Sequence, residues 1–368
     1  MAMSYREGMC AVGGGDLAYR LYPAQRQDAA PAVLVAGWGS VMNDWFALPQ
    51  ELARRGGGVL LFDNRGIGAS AEHQGAISLE AMAGDVLALI RELLPLRPLP
   101  IVVGHSAGAF VAQHLAVHAP GSLAGIVVIA GQSGEVRCAG PLWARSKRRT
   151  YSWVRCFWRE TCVVGAGLSA ASPAGGAPPR RRRGPQLRSG RAPALRDACR
   201  TSNMARVRQG ARATAVPGDR TFFRLGRTSL HDAHDLAARM ALTRFSVDPR
   251  VLDALGRDFR AICQRSLLER RPALTIAAQL QMLGQADLGP VLRDIRCPVL
   301  ILHGEQDRIV PPANADRLYA ELSGCPMRRL RRVPGLHSPF APSPAAARGT
   351  AREIAAFMAD CGGPQARL

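Results

Sequence analysis

Short apolar runs alternate with amphipathic stretches over the first 135 residues. Five of the runs have the length of strands, and the first is typical of an edge strand: residues 15–21, 32–36, 59–62, 101–103 and 126–130. Between them, apolar side chains recur at helical spacing over 43–55, 78–94 and 107–118, with Ser78 as an N-cap. Strands that alternate with helices predict an α/β fold, a mostly parallel sheet covered by helices on both faces.

The same alternation returns near the C-terminus. It predicts a buried strand at 298–302, a polar edge strand at 327–333, and helices at 313–322 and 346–358. Helical spacing at 232–240, 249–268 and 272–283 predicts a helical region between the two halves. We therefore expect a core in two parts (1–135 and 288–368), separated by an Arg-rich insertion (136–228) and a helical cap (229–287).

The positive charge of the chain is concentrated in one stretch. The formal net charge is +20, and residues 137–230 hold 20 Arg, one Lys and three acidic residues, a net of +18 that leaves +2 for the rest. Three interpretations remain open for this stretch: a basic loop for nucleic acid or an anionic surface, a disordered surface insertion, or sequence translated in the wrong frame. Because no recognisable nucleic-acid module interleaves aromatic and base-reading residues here, nucleic acid is not expected as a partner.

The N-terminus and the cysteines favour a cytoplasmic protein. No apolar segment follows a basic start, so no secretory signal is expected, and no apolar run approaches the roughly 20 residues of a membrane span. The nine cysteines are scattered, without a C-x-x-C pair, which argues against a zinc or redox site and for reduced thiols.

The pentapeptide Gly104-His105-Ser106-Ala107-Gly108 has the form G-x-S-x-G, between a predicted strand and a predicted helix. A serine on such a sharp turn is held above the sheet, with glycines allowing strand and helix to approach closely. The helix N-terminus that follows favours developing negative charge. The sequence thus predicts Ser106 as a nucleophile.

A serine hydroxyl needs a general base, and the base needs a carboxylate to fix its tautomer. His337 lies on a loop that can reach over the sheet, whereas His303 ends a strand and His105 is expected to point away from the nucleophile. His114 and His118 lie on the following helix and are expected to be packed or solvated. Asp307, just beyond strand 298–302, is the predicted acid, with Glu305 as its competitor.

The tetrahedral intermediate of acyl transfer requires two backbone donors. The N–H of Ala107, directly after the nucleophile, is one candidate. The N–H of Trp38, in the turn Gly37-Trp38-Gly39-Ser40 after strand 32–36, is the other.

Five segments together resemble the serine-nucleophile α/β-hydrolases of the esterase, lactonase and peroxidase-like branch: AGWGS (36–40), FDNRGIGAS (62–70), GHSAG (104–108), HGEQDRIVPP (303–312) and PGLHSP (334–339). The resemblance covers residues 10–135 and 288–360. It implies the α/β-hydrolase fold with a helical cap between the sixth and seventh core strands, and a loop shaped by Asp63, Arg65 and Gly66.

The resemblance implies hydrolysis of an ester, lactone or thioester through an acyl-enzyme, with no metal or organic cofactor. The apolar cap helices favour a small hydrophobic acyl substrate. Carbon–carbon bond hydrolysis and perhydrolysis use the same site and stay open, as does a non-catalytic binding protein. Epoxide hydrolase and haloalkane dehalogenase chemistry is disfavoured, because Ser106 stands where those enzymes need a carboxylate.

Overall fold

A computed structural model describes residues 3–134, 269–341 and 343–361. The Arg-rich insertion (136–228) and the predicted helices 232–240 and 249–268 lie outside the described residues, so these expectations stay predictions.

Eight strands of the described residues form a single sheet. They are β1 (Arg6–Val12), β2 (Gly15–Tyr22), β3 (Ala32–Val35), β4 (Val59–Phe62), β5 (Ile101–His105), β6 (Gly125–Ile129), β7 (Val299–Gly304) and β8 (Arg328–Val333). Their spatial order is β1-β2-β4-β3-β5-β6-β7-β8; β1 and β2 run antiparallel to their neighbours and β3 to β8 are mutually parallel. This order and the alternation with helices confirm the α/β-hydrolase fold that the sequence predicted.

Helices pack on both faces of the sheet. Five of the described helices do so: α1 (Leu48–Ala53), α2 (Leu79–Leu93), α3 (Ala107–His118), α5 (Ala313–Glu321) and α6 (Pro344–Cys361). The remaining helix, α4 (Ala273–Gln285), contacts the loop that holds Trp38 and Val41. One core includes Val86, Phe110 and Leu318 from α2, α3 and α5, and the other includes Leu52 and Phe357 from α1 and α6. Because β3 to β7 are buried along their whole length, their sequences are apolar apart from His105 and His303 near two strand ends.

Predictions at the start of the chain were wrong in two places. The segment 15–21 is not an edge strand, because β1 precedes it and pairs with β2 from Arg6–Leu21 to Val12–Gly15. Only Cys10 of β1 is buried, so the strand carries almost no apolar signal. The predicted helix 43–55 is divided into a 3₁₀ turn (Met42–Trp45) and α1, since Phe46 has a positive φ of 50° that interrupts helical geometry.

The C-terminal predictions were close. β8 is the edge strand expected at 327–333, and α4 matches the helix expected at 272–283. None of the described helices has the length and apolar character needed to traverse a lipid bilayer.

Candidate active site

Ser106 lies on the turn that joins β5 to α3. Its backbone angles are φ 53° and ψ −111°, and such a left-handed conformation of a non-glycine residue costs about 1–3 kcal/mol. The Ser106 N–H donates to the carbonyl of Ile129 on β6, at 2.9 Å, which holds the strained turn against the sheet. The turn also demands Gly108, because a Cβ there would lie 2.0 Å from the Val35 carbonyl oxygen at the end of β3.

His337 and Asp307 form a buried pair on loops at the ends of β8 and β7. The distance from His337 Nδ1 to Asp307 Oδ2 is 2.9 Å, with residue exposures of 4% and 5%. The backbones of the two loops are joined as well, since the Glu305 and Gln306 N–H groups donate to the carbonyls of Val333 and Gly335. The bond at Nδ1 leaves Nε2 as the nitrogen of His337 that can accept a proton.

Asp307 is held as an anion. Its Oδ1 accepts the N–H groups of Ile309 and Val310, at 2.8 and 2.9 Å, and His303 Nε2 lies 3.3 Å from its Oδ2. Burial opposes ionisation, but the hydrogen bonds from His303, His337 and Val310 keep the Asp307 pKa well below its usual range. The negative charge of Asp307 stabilises positive charge that develops on the imidazole during a reaction.

His105, the neighbour of Ser106 in sequence, packs against His337. The two ring centroids are 5.0 Å apart, and His105 Nε2 lies 3.0 Å from the His337 carbonyl oxygen, so this nitrogen is the donor. No hydrogen bond joins the Ser106 hydroxyl to His337 within the described residues. Catalytic hydrogen bonds are often long without substrate, and His105 provides the contact between the segment that carries Ser106 and His337.

We expect His105 to make the fold less stable in acid. Burial, and then the charge of His337, lower the pKa of His105 from 6.5 to about 3, although Asp307 opposes the shift. Below pH 6.5 the unfolded chain therefore binds a proton at His105 that the folded protein does not bind. The free energy of unfolding consequently falls by about 2 kcal/mol between pH 7 and 5.

The measurement is urea unfolding of the wild type and His105→Gln across this pH range. The difference between the two proteins isolates His105, which matters because Asp63 acts in the opposite direction: burial raises its pKa to about 6. A difference that stays constant with pH would contradict a neutral, buried His105.

The turn that holds Trp38 lies directly beside Ser106. A Cβ added to Gly37 would be 3.3 Å from the Ser106 Cβ, so the backbone of this turn approaches the nucleophile closely. Ala107 begins α3, and the first N–H groups of a helix have no acceptor within the helix. The structure therefore brings together the two peptide segments predicted to supply the oxyanion donors.

The loop around Asp63 has structural contacts. The Asp63 carboxylate accepts the N–H groups of Met42 and Ala69, at 2.7 and 2.8 Å, and so ties two loops together. Arg65 forms a buried bidentate ion pair with Asp85 on α2. These contacts agree with the expectation that Asp63 and Arg65 shape a loop.

The remaining candidates lie outside this group. His114 and His118 contact one another on α3, with centroids 4.2 Å apart, and Glu305 is exposed. Among the described residues, no group of three or more His, Cys, Asp or Glu side chains could hold a metal ion.

Sequence reasoning missed the contacts that support the site. His303 and His105 hold Asp307 and the His337 backbone, and Arg271 and Gln279 contact the Trp38 turn from more than 230 residues away. No local pattern in the sequence signals the contacts of Arg271 and Gln279, which span such a separation.

Comparison with known proteins gives a family and a fold. A family model described as "Serine aminopeptidase, S33" matches residues 27–338, most of the chain. A candidate non-heme bromoperoxidase of Mycobacterium tuberculosis, BpoC, is 41% identical over 102 residues, which are 27% of this chain and 37% of that protein. The chain thus matches little more than a third of the length of this relative.

Solved structures align with 96% of the chain at low identity. The enol-lactonase of Burkholderia xenovorans LB400 superposes with a TM-score of 0.62 and 16% identity, covering 96% of this chain and 100% of that one. A thermophilic esterase of Thermogutta terrifontis gives a TM-score of 0.57 and 18% identity, with coverage of 96% and 99%. At such identities the likeness shows the fold alone.

Proposed function

This chain belongs to the serine aminopeptidase S33 family of α/β-hydrolases, and from this premise we propose that it is a serine hydrolase cleaving esters, lactones or thioesters of small hydrophobic acyl compounds. One observation carries the proposal: the buried hydrogen bond between His337 and Asp307, beside the strained turn that holds Ser106. The esterase and the lactonase among its structural neighbours are consistent with this class of substrate.

The proposed reaction begins with attack of the Ser106 Oγ on the acyl carbonyl carbon, while His337 Nε2 takes the hydroxyl proton. The N–H groups of Trp38 and Ala107 stabilise the oxyanion, and the anionic Asp307 stabilises the imidazolium. His337 then gives its proton to the leaving alcohol or thiol as the carbonyl re-forms. A water activated by His337 hydrolyses the acyl-enzyme, releasing the acid and restoring Ser106.

A fluorophosphonate probe tests the proposal directly. The probe should phosphonylate the folded wild-type protein once, and peptide mass spectrometry should place the adduct on Ser106, because among the described residues this hydroxyl alone is proposed to have an adjacent base and oxyanion donors. Heat-unfolded protein is the control and should stay unlabelled. If the folded protein also stays unlabelled, the chain is a non-catalytic binding protein and the proposal fails.

Perhydrolysis is a second candidate, favoured by the resemblance to a protein described as a bromoperoxidase. Hydrogen peroxide would replace water in attacking the acyl-enzyme and release a peracid, which can oxidise bromide. Bromination of monochlorodimedone in acetate, bromide and peroxide measures this reaction. Activity that survives in Ser106→Ala would exclude an acyl-enzyme route.

A further inference from the structure

The segment 269–285 binds the turn that carries Trp38 through three hydrogen bonds. The Gly39 N–H donates to Gln279 Oε1 at 2.9 Å, and Arg271 Nε donates to the Gly39 carbonyl at 2.7 Å. The Trp38 indole N–H donates to the Ile276 carbonyl at 2.8 Å. Both polar backbone atoms of Gly39 and the neighbouring side chain are therefore bound to one segment that comes much later in the chain.

These contacts fix the peptide units next to the proposed oxyanion donor. Gly39 has a φ of 61°, a left-handed conformation that glycine adopts easily but is equally free to leave. The bond from the Gly39 N–H sets the rotation of the Trp38–Gly39 peptide. The bond to the Gly39 carbonyl sets the rotation of the Gly39–Ser40 peptide. The Trp38 N–H belongs to the Gly37–Trp38 peptide, which adjoins the Trp38–Gly39 peptide. The direction of this N–H therefore depends on these rotations.

The side chains of Arg271 and Gln279, which bind the turn, are themselves held in place by burial and hydrogen bonds. Arg271 is 3% exposed and also forms an ion pair with Asp44 at 2.9 Å, while Asp44 accepts the Val41 N–H. Gln279 is 1% exposed, and its amide orientation is unambiguous, since only Oε1 can accept from Gly39. The contacts of Arg271 and Gln279 therefore connect the turn to buried, hydrogen-bonded side chains.

Gln279 keeps this orientation at a cost. Within the described part of the chain, its Nε2 is buried and has no hydrogen-bond partner. An unpaired buried donor is unfavourable, so a residue chosen for stability alone would not be a glutamine here.

We propose that Gln279 and Arg271 are positioning residues that hold the Gly37–Trp38–Gly39 turn so that the Trp38 N–H faces the acyl oxygen in the transition state. This inference rests on the proposed serine-hydrolase function. It makes the cap side of the molecule a determinant of kcat, in addition to any part it has in substrate binding.

The test is Gln279→Met, with Gln279→Glu as rescue and Gln281→Met as matched control. Methionine has a similar volume but no acceptor, glutamate keeps the acceptor, and Gln281 is an exposed glutamine on the same helix. Turnover of p-nitrophenyl butyrate gives kcat and KM, and inhibition by a trifluoromethyl ketone reports binding of a tetrahedral oxyanion. Thermal unfolding reports stability.

In Gln279→Met, kcat should fall about 10- to 100-fold with KM changed less than about 3-fold, because complete loss of one oxyanion donor costs about 10²–10³ in kcat. Trifluoromethyl ketone affinity should fall by the same factor. The melting temperature should change little, because one unpaired buried donor (Nε2) is exchanged for another (the Gly39 N–H). Gln279→Glu should regain most of the activity below the pH at which the buried carboxyl ionises, because its neutral form keeps an acceptor for the Gly39 N–H without a negative charge beside the oxyanion. Gln281→Met should match the wild type.

Wild-type kcat in Gln279→Met, or a fall in kcat without weaker ketone binding, overturns the inference. If Gln279→Met does not fold, Arg271→Lys decides, since lysine keeps the positive charge beside Asp44 but loses the Nε donor to the Gly39 carbonyl. It should lower kcat and ketone affinity together by about 3- to 10-fold, and unchanged values would refute the inference. A wild-type protein without turnover or fluorophosphonate labelling refutes the proposed function instead.

Discussion

Ser106→Ala should reduce kcat for p-nitrophenyl esters by about 10⁴-fold or more. The substitution removes the attacking oxygen, and in serine hydrolases loss of the nucleophile leaves only the contribution of binding and of the oxyanion donors. The fold should be unaffected, because alanine keeps the Cβ that the φ of 53° already accommodates and no hydrogen bond to the Ser106 hydroxyl is found in the described residues. Steady-state kinetics and thermal unfolding of the same preparation measure both effects.

Ser122→Ala is the matched control, since Ser122 lies in the turn after α3, away from the site. It should retain wild-type kcat. Turnover in Ser106→Ala comparable with the wild type would exclude this nucleophile, whatever the state of His337.

Asp307→Asn should lower kcat by about 10³- to 10⁴-fold. The Ile309 and Val310 N–H groups already point at Oδ1, so the asparagine must keep its oxygen there and turn its NH₂ group toward His337. His337 Nδ1 then has to accept, which places the proton on Nε2, the nitrogen that should act as base. The wrong tautomer, together with the lost negative charge, accounts for the size of the effect.

Glu305→Gln distinguishes the two acids that the sequence left in competition. Glu305 is exposed, and its neutralisation should leave kcat within about 2-fold of the wild type. Kinetics of both variants, normalised to folded protein by circular dichroism, make the comparison. A severe loss in Glu305→Gln with normal Asp307→Asn would move the acid to Glu305.

The sequence predicted the elements in which local pattern and burial agree. β5, α3 and the turn between them were located almost to the residue, because a buried strand, a G-x-S-x-G turn and an apolar helix follow one another without interruption. The Asp307–His337 pair was also predicted, because loops at the carboxyl ends of neighbouring parallel strands meet at one edge of the sheet.

Other features had no such signal. β1 exposes most of its side chains, so it lacks the apolar pattern of a strand. His105 reads as a turn residue, and only its burial against Trp45, Phe340 and His337 shows what it supports. The hydrogen bond between Gly39 and Gln279 joins residues 240 positions apart, and such pairs follow from tertiary structure alone.

The adjacency of β6 and β7 has a consequence for how such a protein can change. The chain leaves the sheet after Ile129 and re-enters it at Val299, yet the two strands pair in parallel from Ile126–Val299 to Ile129–Leu302. Their alignment depends on their own ladder, so the sequence between residues 134 and 269 can be exchanged without shifting the proposed reactive groups. A different segment inserted between residues 134 and 269 would keep the contacts of Arg271 and Gln279 with the Trp38 turn. It would give evolution, or an engineer, a way to change substrate specificity without moving the proposed catalytic residues.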